Sequence, residues 1–107
     1  MANTRSHRAT GAAAISSTLA PGQAWQLEEI RVHLSAAGGA GNLTCTLDHG
    51  IGAAYDLVIL TKDMTTVVDY IWQPTRPMEF DAGTELDIAW ANANTRTYGL
   101  EIIWKAI

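Results

Sequence analysis

A chain of 107 residues with net charge −4 is long enough for one domain with a real core, and short enough that subunit association adds useful stability. Hydrophobic residues make up 48% of it and charged residues only 17%, below the quarter or so carried by free-standing domains, which points to a surface that is covered by something. Arg5 and Arg8 stand in the first eleven residues with no acid beside them, so the remainder carries −6; that argues against general nucleic-acid binding, and no stretch approaches the ~20 apolar residues of a membrane span.

Residues 1–14, MANTRSHRATGAAA, are small, polar and without apolar period. They read as an extended N-terminal arm, set apart from a β-domain over 15–107. Arg5, His7 and Arg8 are its docking groups, the arginines bonding acidic groups on another subunit. The alternative is an arm laid back on its own acidic body. AAAISSTLA is too short and polar for a secretory core, so the chain is expected to be made in the cytoplasm.

A short strand is expected at 13–19. AWQLEEIRVHLS (24–35) alternates through Trp25 and Leu27, then through Ile30, Val32 and Leu34. The beat slips at Glu28-Glu29, where a bulge would restore register. A helical reading ranks second, because Pro21-Gly22 marks a turn and Ile, Val and Trp favour strands. SAAGGAGN (35–42) lacks the ending and the following helix of a phosphate loop, and reads as a hairpin connection.

NLTCTLDH (42–49) alternates cleanly, placing Cys45 inward with Leu43 and Leu47 as an inert thiol. A single cysteine forms no internal disulfide. AYDLVILTKDM (54–64) has a continuous apolar centre and predicts a strand covered on both faces. TTVVDYIWQP (65–74) predicts a strand with Val68, Tyr70 and Trp72 on one face and Val67, Asp69 and Ile71 on the other. Pro74 and Pro77 bracket a kink or an edge. MEF (78–80), DAGTELDIAWAN (81–92) and TYGLEIIWKAI (97–107) supply the last strands, the final one with Tyr98, Leu100, Ile102 and Trp104 inward. About eight strands with turn signals every 8–12 residues predict an all-β, single-domain antiparallel sandwich, jelly-roll-like.

Motifs of catalysis do not emerge. His7, His33 and His49 lack the spacing that lets two ligands converge, and Asp48, His49 and Asp56 are the one set weighed for a metal. There is no nucleophile elbow. Asp69 would have a raised pKa if it faced inward, but an acid in that setting more commonly meets solvent. No catalytic residue, cofactor or metal is therefore expected. Of four tryptophans, Trp25, Trp90 and Trp104 read as core, whereas Trp72 lies near a strand end and suits an interface. Trp72, Pro74 and Arg76 join Arg5, His7 and Arg8 as candidate partner-binding residues.

The phrases LAPGQAWQLEEIRVHLS (19–35) and FDAGTELDIAWANANTRTYGLEIIWKAI (80–107) resemble small phage virion proteins, in which a Pro-Gly-Gln turn launches a long strand and an Ala-Gly-Thr turn precedes a late one. The nearest type is the capsid decoration, or cement, protein. That resemblance implies a non-enzymatic β-sandwich on the outer surface of a phage head. It implies binding to the major capsid protein or another virion protein, and a homo-oligomer, often a trimer. A carbohydrate- or receptor-binding module of a tail or head fibre is the alternative, and a small cupin-like enzyme ranks third.

Overall fold

Nine strands and one 3-10 turn make up the regular structure of residues 3–107, the residues described by what is a computed structural model. In chain order these are β1 (Thr4–Gly11), β2 (Ile15–Leu19), β3 (Trp25–Leu34), β4 (Asn42–Asp48), the turn Ala53–Tyr55, β5 (Leu57–Asp63), β6 (Asp69–Trp72), β7 (Met78–Phe80), β8 (Glu85–Trp90) and β9 (Tyr98–Ala106).

The chain runs out and returns on itself. The outgoing strands pair antiparallel with the returning ones: β1 with β9, β2 with β8, β3 with both β6 and β7, and β4 with β5. Rolling up this long hairpin adds the β3–β9 and β4–β8 ladders. Sheet A then has the order β1-β9-β3-β6, with β7 also on β3, and sheet B the order β2-β8-β4-β5. β7 occupies Trp25–Leu27 of β3 and β6 occupies Ile30–His33, so the two share one strand position. Pro74 and Pro77 lie in the gap, where a residue without an N–H cannot continue a ladder. The architecture is the expected β-sandwich with the jelly-roll wrap, one of its eight positions being split in two.

The core follows the alternation. Trp25, Leu27, Ile30, Val32 and Leu34 of β3 are buried against Leu43, Cys45 and Leu47 of β4, with Leu86, Ile88 and Trp90 of β8 and Leu100, Ile102 and Trp104 of β9. The β3–β9 register shifts between Leu27 and Glu29, so the bulge lies where the hydrophobic beat slips. Buried polar groups have partners: Trp25 Nε1 donates to Thr84 O at 3.1 Å and Trp90 Nε1 to Ala40 O at 2.9 Å. Asn92, 2% exposed and at φ 51°, donates Nδ2 to Ala13 O and Arg96 O and accepts from Arg96 N. One side chain thus ties the β8–β9 turn to the β1–β2 connection.

Two expectations are corrected. The supposed arm is β1: residues 4–11 pair with β9 along their whole length, so the chain takes the alternative of lying back on its own body. The first two residues of the 1–14 segment lie outside those described. β5, expected under cover on both faces, is the edge strand of sheet B, with Leu57 and Val58 55% and 58% exposed. Its apolar run is interrupted by a second register shift, between Cys45 and Thr46 of the partner strand β4.

Candidate interaction surface

Antiparallel register sorts the outer face of sheet A into cross-strand rows. One row runs Arg8, Glu101, Arg31, Ile71 and the next Thr10, Gly99, His33, Asp69. Glu101 receives Arg8 Nε at 2.7 Å and Arg31 Nη1 at 3.0 Å, and also accepts from Ser6 Oγ. Arg31 Nε bonds Glu29 as well, and Gln73 Nε2 donates to the other Glu29 oxygen at 2.6 Å. The Gln73 hydrogen bond, then Arg31, holds the Glu29 carboxyl below its ordinary range; Arg8 does the same for Glu101. Gly99 puts no side chain into its row, and the rows border a shallow depression of about 810 Å³. Because all its lining residues belong to sheet A, this depression is an outer surface rather than a gap in the core.

The candidate partner-binding residues fall into two places. Arg5, His7 and Arg8 are on β1, at one edge of sheet A. Arg8 is spent on Glu101, as described, while His7 Nε2 and Ser17 Oγ share a hydrogen bond of 2.7 Å that links β1 to β2 across the open side of the sandwich. These residues hold the chain's own strand in place. Arg5 pairs in register with Trp104 and is exposed.

Trp72, Pro74 and Arg76 are at the opposite side, where sheet A ends in β6 and β7 and sheet B ends in β5. Together with Ile59, Thr75 and Met78 they line a cavity of about 330 Å³. Ile59 belongs to β5, so this cavity straddles the two sheets. Lys62 of β5 reaches over the Tyr70 ring at 5.2 Å and closes the same side further along. Upstream of the cavity, Ile51, Tyr55, Leu57 and Val58 are each more than half exposed. A row of large apolar side chains beside an unpaired sheet edge is a surface suited to contact.

Several residues of this surface escaped sequence reasoning. Glu29, Arg31 and Glu101 occupy outward positions that read only as a polar face, since their mutual pairing depends on which strands become neighbours. Ile59 and Met78 were assigned to strands without any sign that they meet Trp72. The signal in Leu57 and Val58 was present but pointed to burial.

Asp48 and His49 have separate partners. Asp48 accepts from Gly50 N at 2.8 Å and His49 shares a hydrogen bond with Thr84 Oγ1 at 3.0 Å. No group of three His, Cys, Asp or Glu able to hold a metal is present among the described residues. Asp69 is exposed on the outer face, 2.5 Å from His33 Nδ1. Cys45 is fully buried, and burial pushes its thiol pKa up to about 12. No protein-family model matches the chain, and a search of curated proteins returned no significant match.

Proposed function

We propose that this chain is a non-enzymatic structural subunit of a virion, a decoration or cement protein that adheres to the outer surface of the head, to the major capsid protein or another virion protein. One observation carries the reading: a rigid jelly-roll body leaves the first half of its β5 edge apolar and uncovered, next to a cavity lined by Trp72. A free-standing domain protects such an edge; a subunit uses it. The jelly roll is an architecture that viral capsid domains use. Contact between subunits passes from β1 to the β5 side, because β1 is committed to its own sheet. Many symmetric copies multiply a modest interface, and a ligand that binds only the intact shell stabilises it by mass action.

The carbohydrate-binding alternative needs an exposed aromatic on a concave face. Trp25, Trp90 and Trp104 are buried and Trp72 lies half-buried on the inward side of β6; among the described tryptophans, tyrosines and phenylalanine Tyr55 alone is largely exposed, and one ring beside an apolar edge favours the structural subunit. The test is quantitative mass spectrometry of purified virions from the source. The chain should be present at a fixed ratio to the major shell protein, and its absence from those particles contradicts the assignment.

A further inference from the structure

We propose that the β5 edge is a two-fold self-docking surface: the Tyr55-Asp56-Leu57 segment of one copy enters the Trp72 cavity of a second copy, where its Asp56 pairs with Arg76 of that copy, and the reverse contact forms at the same time. This rests on the reading that the β5 edge is a contact surface, and adds the identity of the occupant.

Sheet edges are blunted by bulges and by charged side chains, lysine above all. Along β5 these begin only at Ile59, with the register shift there and the charges Lys62 and Asp63 beyond it. Leu57 and Val58, before the shift, are 55% and 58% exposed, and Tyr55, in the turn that leads into β5, is 57% exposed. Between Tyr55 and Leu57 stands Asp56. Asp56 and Arg76 each have no ion-pair partner among the described residues. Arg76 sits with the apolar side chains of Ile59, Trp72 and Met78 around the cavity. An acid flanked by two large apolar side chains is the chemical complement of a cation beside an apolar hollow. The cavity, about 330 Å³, is at the low end for a small-molecule site and suits side chains of a protein segment.

Geometry then selects the symmetry. Ile59 belongs to the cavity lining and follows Asp56 by only three positions. Exposed segment and hollow are therefore neighbours on one edge. A two-fold axis near Ile59 carries each segment to the hollow of the other copy, an isologous contact that closes at two subunits. With a net charge of −4 on each copy, long-range repulsion opposes the encounter, and two reciprocal Asp56–Arg76 pairs place attraction at the point of contact.

Sedimentation velocity of the full chain, from about 1 to about 100 µM, tests the proposal. The wild type should form dimers. Asp56→Arg and Arg76→Glu should each weaken association about tenfold or more, while the double variant D56R/R76E, and an equimolar mixture of the two single variants, should recover it to within about threefold. Unchanged circular dichroism and melting of the variants show that both exposed substitutions leave the fold intact. A wild type that stays monomeric to the highest concentration, one that forms trimers, or single variants that associate like the wild type would each overturn self-docking. Such a result, with the chain still found in virions, removes the self-contact and leaves the structural assignment standing.

Discussion

Removing residues 1–11 tests whether the basic leader belongs to the fold. As a loose arm it would be lost without consequence to stability. As β1 it contributes eight residue pairs in register with β9. Ordering eight residues costs about 1–2 kcal/mol each, and the net gain from ladder hydrogen bonds, near 1 kcal/mol apiece, offsets most of that. The balance is decided by side chains. Ala9 packs on the core, Thr10 Oγ1 donates to Tyr98 O at 2.7 Å, His7 reaches Ser17 and Arg8 reaches Glu101. Deletion also leaves the β9 edge open beside Leu100, Ile102 and Trp104. A net loss of about 2–4 kcal/mol follows, which for a domain of this size lowers the melting midpoint by roughly 10–25 °C. Differential scanning calorimetry of residues 12–107 against the full chain reads this directly. A midpoint unchanged within a few degrees would refute the reasoning and return the leader to the status of an arm.

Asn92→Ala should cost about 2–4 kcal/mol in urea denaturation, since it removes three hydrogen bonds that the buried Asn92 side chain makes with Ala13 O, Arg96 O and Arg96 N. Asn92→Gly keeps the left-handed backbone available, so a comparable loss in that variant assigns the effect to the side chain's hydrogen bonds. Cys45 should resist a thiol reagent at pH 8 in the native protein and react fully in about 6 M guanidinium, because burial raises its pKa to about 12 and withholds the sulfur from solvent. Glu29 and Glu101 have folded-state pKa values depressed below 4.5, Glu29 first by Gln73 and Glu101 first by Arg8. Their stabilisation is complete above the unfolded value and disappears as pH falls through the folded one, so the melting midpoint should hold from neutrality down to about pH 5 and drop below 4.5. Glu101→Gln should flatten that drop; an equal drop in the variant would show that Glu101 does not contribute to it.

How much of this was legible depended on where each strand sits in its sheet. Central strands have one buried face, so Leu43, Cys45 and Leu47, or Leu86, Ile88 and Trp90, announce themselves by a period of two. The bulge beside Glu28 was visible for the same reason, because a slip that would send Ile30, Val32 and Leu34 outward has to be compensated. Edge strands obey weaker rules. β1 shares only one ladder, and its inward positions Arg5, His7 and Ala9 lie at the rim, where polar and small residues suffice; nothing apolar marks it as a strand. β5 fails in the opposite direction. Its Leu57-Val58-Ile59-Leu60 run resembles a strand buried on both faces, and a single sequence does not distinguish burial inside the domain from apolar surface kept for contact.

The candidate surface was legible in fragments. Trp72, Pro74 and Arg76 were grouped by proximity along the chain, and they do line one cavity. Grouping them with Arg5, His7 and Arg8 was a different matter, since the two sets stand at opposite edges of sheet A. Only the pairing of β3 with β9 on one side and β6 on the other separates them, and strand order is a long-range property that spacing does not encode.

Hydrogen exchange followed across protein concentration addresses the central claim, that a self-contained jelly roll leaves its β5 edge for contact. The amides of residues 4–11 that bond β9 should be protected at every concentration, whereas residues 55–58 should gain protection as the protein is concentrated. Free exchange throughout residues 4–11 would contradict the account of a self-contained fold, and an edge at 55–58 indifferent to concentration would contradict its use for contact between copies.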